Sequence, residues 1–104
     1  MASKYKTAEL VGVVLEQTNS GRYQPKDQPL TPTSFHSWRI GKHTRGQLLE
    51  PGQLFLTENG FTVTLVAVKD LSFRERHQFA PIARFLKTTL PQDQLTPIVS
   101  AYQA

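Results

Sequence analysis

Asn59-Gly60 stands between two apolar, β-branched runs, residues 53–57 and 61–69. Asparagine and glycine both tolerate positive φ, so this dipeptide between strand-like runs specifies a tight β-hairpin. On its second strand Phe61, Val63, Leu65 and Ala67 are expected to face one way. Thr62, Thr64, Val66 and Val68 face the other. The hairpin fixes β-structure at the centre of the chain, and the rest is read around it.

Residues 8–17, AELVGVVLEQ, are valine-rich and apolar on both alternating faces. That pattern suits a strand inside a sheet or a small barrel. Residues 35–40, FHSWRI, alternate as a further strand, with His36, Trp38 and Ile40 on one face and Phe35, Ser37 and Arg39 on the other. Residues 47–50 read as a short strand ended by Pro51-Gly52, and 41–46 as a turn between two glycines. Residues 18–34 carry Pro25, Pro29 and Pro32 among polar residues. Proline removes donors and fixes φ, so this stretch reads as a long irregular loop. Long loops in small domains are commonly functional or disordered.

Ser72-Phe73-Arg74-Glu75 has the form of a capping box. Behind it Phe79, Ile82, Ala83, Leu86 and Leu90 recur at helical spacing, which predicts a helix to about Leu90, kinked or restarted at Pro81. Leu95, Ile98, Val99 and Tyr102 predict a short terminal helix, with Thr96 as cap and Pro97 at its first position. The expected fold is therefore α+β. A small, mostly antiparallel sheet or small barrel of four to five strands is followed by one or two C-terminal helices. Residues 1–104 form one domain, with 1–7 a flexible arm, 18–34 the proline-rich loop and 72–104 the helical part.

Composition excludes several chemistries. The chain has no cysteine, so it holds no disulfide framework, thiolate metal site or cysteine nucleophile. No run of 18 apolar residues exists and the start is polar, so neither a membrane span nor a signal peptide is expected, and the cytoplasm is the expected location. Phosphate-loop, dinucleotide, zincin and serine-hydrolase motifs are absent. His36, His43 and His77 lack metal-ligand spacing, and the eight acids are scattered. Neither a metal nor a cofactor is expected. A small enzyme built on His36 or His43 would need a deep pocket where histidine and acid converge.

Binding is the better expectation. Twelve Lys and Arg against eight Asp and Glu give net charge +4, and the pI is about 9.7. Residues 22–45 interleave Arg22, Lys26, Arg39, Lys42 and Arg45 with Tyr23, Phe35, His36, Trp38 and His43, and Asp27 is the only acid among them. Cations for phosphates and rings for bases are what a single-stranded nucleic acid needs. Arg22, Tyr23, Phe35, Arg39, Lys42, His43 and Arg45 are the candidate binding residues, with Trp38 assigned to the core. A second basic group, Arg74, Arg76, Arg84 and Lys87, falls on the expected helix, with Phe73 and Phe85 beside its stripe. A surplus of four charges is modest for a dedicated nucleic-acid module. The preferred reading is a small basic, non-enzymatic module that binds a larger protein. A nucleic-acid-binding accessory protein is the alternative.

Overall fold

The computed structural model describes residues 8–40, 49–71 and 75–103. Its strands are β1 (Ala8–Gln17), β2 (Tyr23–Pro25), β3 (Phe35–Arg39), β4 (Gln53–Thr57), β5 (Thr62–Asp70) and β6 (Ile82–Thr89), followed by helix α1 (Gln92–Gln103). They form an α+β domain in which a six-stranded antiparallel open sheet precedes one helix. The strand order is β2-β1-β5-β4-β6, and β3 also pairs with β1. One edge of β1 faces β5. The other takes β3 along residues 9–13 and β2 along 15–17.

β1 is apolar on both faces because each face is covered. Leu10 belongs to a cluster with Ile40, Phe55, Val63, Leu65 and Ile82, lined by Trp38 and Phe85. Val13 and Leu15 belong to the opposite cluster, with Leu54, Val66, Leu90, Leu95 and Ile98. α1 supplies the second cover through the stripe that the sequence predicts. Leu95 and Ile98 are buried, and Val99 and Tyr102 pack beside them. On the first face Trp38, Phe55 and Phe85 stack edge to face, with ring centroids 5.5 and 6.0 Å apart.

The hairpin stands as expected between β4 and β5, with a different turn. Asn59 keeps negative φ and only Gly60, at φ +90°, is left-handed. Gly60 N–H donates to the Thr57 carbonyl at 3.0 Å, a type I turn closed by a left-handed glycine. Alternation along β5 then breaks. Val11 pairs with Ala67 and Gly12 with Leu65, so Val66 is an extra residue. Beyond this bulge Ala67 is no longer on the face of Val63 and Leu65.

Several expectations are corrected. Residues 18–34 are not one irregular loop. β1 turns back through Gly21 N–H donating to Thr18 O (2.9 Å) into β2, and Lys26 N–H continues the ladder to Val14 O (2.9 Å). Pro25 is tolerated because β2 lies at the sheet edge. The helix expected from 72 to 90 is absent: residues 75–78 form a 3-10 turn and 82–89 are β6. Ala83 and further residues of β6 are unpaired against β4. These irregularities space Ile82, Phe85, Leu86 and Leu90 by three and four, which imitates a helix. Pro81 neither kinks nor starts a helix. It precedes β6 and forms an isolated parallel bridge with Arg39. α1 begins before Thr96, with Gln94 and Leu95 N–H both donating to Pro91 O at 3.0 Å, and Pro97 lies inside it. Thr96 Oγ1 bonds back to Gln92 O rather than capping.

Residues 49 and 50 are not in a strand. The expected arm at 1–7, the turn at 41–46, residues 47 and 48 and the capping Ser72 lie outside the described residues. Among the described residues no helix is long and apolar enough to cross a membrane.

Candidate functional site

The site is built around the hairpin turn. Thr57 is buried and closes the turn from both sides. Its N–H donates to Phe61 O at 2.9 Å, and its Oγ1 accepts from Phe61 N–H at 3.0 Å. Phe61 is thereby clamped at the mouth of the hairpin, one position before β5, and the residue is 46% exposed. Alternation groups Phe61 with Val63 and Leu65, yet those two are fully buried. The difference is position, since Phe61 stands beyond the last paired residue of β5, Thr62.

A cleft of about 230 Å³ opens beside that ring. β1 contributes Val13 and Val14, β3 contributes His36, and Ser34 comes from the 3-10 turn before β3. Lys26 and Asp27, which follow β2, complete the rim. Lys26 Nζ lies 5.4 Å from the Phe61 ring centroid, within cation–π range. Ser34 is committed locally, its Oγ accepting from Thr31 N–H at 3.1 Å. Lys26, Asp27 and His36 are exposed. Among the described residues no carboxylate stands within ion-pair distance of Lys26.

The residues expected to bind nucleic acid are placed otherwise. Arg22, at the β1–β2 hairpin, is exposed and 3.8 Å from Asp93 of α1. Tyr23 packs in the cluster under α1, and its carbonyl accepts from Gln94 Nε2 at 3.0 Å. Phe35 packs there too, its ring centroid 5.2 Å from that of Tyr102. Arg39 donates its Nε to Phe79 O at 3.0 Å. Tyr23 and Arg39 stand opposite Gln17 and Glu9 of β1, a separation of roughly 26 Å at about 3.3 Å per residue. Tyr23 and Phe35 are thus brought together under α1, with Arg22 beside that helix, while Arg39 stands apart from them. Lys42, His43 and Arg45 lie outside the described residues. Of the second basic group, Arg84 and Lys87 are exposed on a strand, not a helix. Arg74, Phe73 and the Arg76 side chain lie outside the description. Phe85 packs on Phe55.

His36 and Asp27 do share the Phe61 cleft, but both are exposed and no hydrogen bond joins them. A general base needs a partner that orients it, and among the described residues this imidazole has no hydrogen-bond partner, its ring standing T-shaped to Trp38 with 6.2 Å between centroids. Among the described residues no three His, Asp or Glu are grouped to hold a metal. Two further clefts flank α1, one against Glu50 and Pro51, the other against β2 and Leu30. Neither carries an exposed large apolar side chain.

A family model described as a family of unknown function (DUF7671) matches residues 2–99. No curated protein matches the chain, and no solved structure does.

Proposed function

For a chain that belongs to DUF7671, a family of unknown function, we propose a non-enzymatic role: a small, basic cytoplasmic module that docks a larger protein at the Phe61 cleft. One observation carries this reading. The backbone of a large aromatic residue, Phe61, is held by two hydrogen bonds to Thr57, and the residue is still exposed beside a cleft. Aromatic anchors beside pockets dominate protein interfaces, and truncating one costs about 2 kcal/mol or more. A clamped backbone lowers the ordering cost of association. The nucleic-acid reading is weaker on the same grounds, because Tyr23 and Phe35 are occupied under α1.

The test compares wild type with Phe61→Asp as baits, after matched melting curves show both folded. A partner captured by wild type and reduced at least tenfold by the variant is the expected result, about 1.4 kcal/mol or more of binding energy. A partner retained equally by both overturns the reading. Anisotropy with labelled single- and double-stranded oligonucleotides at two salt concentrations tests the alternative. Salt-sensitive micromolar binding there would replace the protein reading.

A further inference from the structure

We infer that the segment docked at Phe61 is an acidic peptide stretch, with an apolar side chain laid on the ring and a carboxylate reaching Lys26. This rests on the Phe61 docking reading and adds the chemistry of the partner. The first ground is charge. Lys26 is an exposed cation with no carboxylate partner among the described residues, and it is poised over Phe61 at 5.4 Å. A carboxylate arriving there meets an ammonium already positioned on the ring, so less side-chain freedom is lost than for a free surface lysine. His36 adds a second group that can donate a hydrogen bond to an acid from the other wall.

The second ground is the lining itself. Val14 and Phe61 offer an apolar surface, since Val13 is buried on the opposite face, while Lys26 and His36 lie at its rim, so one apolar residue next to a carboxylate matches both parts. Asp27 sets the limit on charge density. Its carboxylate shares the rim, so a polyphosphate chain would meet repulsion where a peptide can place a backbone N–H. The whole chain carries net charge +4, which steers an acidic partner toward it.

The experiment pans a display library of random 12-residue peptides on the full chain, with Phe61→Asp as the counter-selection. Peptides that need Phe61 are then measured against Lys26→Glu, after melting curves show both variants folded. The expected result is enrichment of Asp or Glu beside an apolar residue, with binding weakened at least tenfold in Lys26→Glu. Peptides that need Phe61 but show no acidic bias, or bind Lys26→Glu as well as wild type, overturn this inference and leave the docking site standing. If no enriched peptide depends on Phe61, both the acidic-partner inference and the docking reading fall.

Discussion

Arg39 holds Phe79 through its side chain: Nε donates to the Phe79 carbonyl at 3.0 Å, and the Arg39 backbone N–H donates to Ala80 O at 2.9 Å. These two bonds, with the Pro81 bridge, tie the end of β3 to the approach to β6. A residue that the sequence offers as a phosphate contact is thus engaged in joining two ends of the sheet. Arg39→Met keeps the aliphatic stem and removes the donor. A bond from a charged donor contributes about 1.5–3 kcal/mol, and partial exposure brings the expected loss to about 1–2 kcal/mol. Urea unfolding should show a lower midpoint with an unchanged slope. A variant as stable as wild type would show that the side-chain bond contributes nothing.

Gly12 is required by a close approach rather than by its dihedrals. A Cβ placed there would lie 2.5 Å from Val63 Cγ1 and 2.7 Å from the Thr64 carbonyl oxygen. Val63 and Thr64 are fully buried and cannot swing away. Gly12→Ala is expected to cost about 3 kcal/mol, the upper end for overpacking, because one of the two contacts is backbone. In a domain of this size that is a fall in Tm of roughly 10 °C or more. Val63→Ala in the same background removes only the side-chain contact. A double-mutant cycle should therefore show partial rescue of the Gly12→Ala penalty, and no coupling between the two sites would refute the clash.

What could be read from the sequence was local. The Asn-Gly turn, the alternation of 35–40 and the stripe of α1 each depend on a few neighbouring residues. β6 was not legible because its bulges turn a strand's period of two into the three-and-four spacing of Ile82, Phe85, Leu86 and Leu90. β2 was missed because proline excludes a central strand, and only the sheet order reveals that Pro25 sits at an edge. The candidate binding set shows why spatial grouping was not legible. Interleaved cations and rings in 22–45 say nothing of faces, and α1, far along the chain, covers Tyr23 and Phe35. Phe61 had a signal, since it directly follows the Asn-Gly turn, but alternation only places it on the face of Val63 and Leu65.

The hairpin turn separates Asn59 from Gly60. Gly60 has φ +90° with nothing within 4 Å of where a Cβ would stand, so an alanine there meets backbone strain and no clash. Gly60→Ala should cost about 1–2 kcal/mol, the usual penalty for a left-handed L-residue. Asn59 has negative φ, so Asn59→Ala should stay within about 0.5 kcal/mol of wild type. Chemical denaturation of both variants checks the pair. Equal losses would mean that both residues use positive φ, as in a type I′ turn.

Lys69 lies beside the end of α1, its Nζ 6.0 Å from the Tyr102 ring centroid. A hydrogen bond with Tyr102, then the charge of that residue, then Glu9 opposite on β1, hold the Lys69 ammonium above the usual lysine value of 10.5. The folded value is raised, so the folded state binds this proton more tightly than the unfolded chain does. Any stabilisation from it is complete below pH 10.5 and is lost as pH rises through the higher folded value. The side chain is fully exposed, so the readout is the titration itself. Following Lys69 by carbon-detected NMR should give a midpoint above 10.5 in wild type. Tyr102→Phe should move it down, and Glu9→Gln should move it down by less, in the order of the two causes. A wild-type midpoint at the ordinary lysine value, or a larger effect from Glu9 than from Tyr102, would show that the helix end does not grip this lysine.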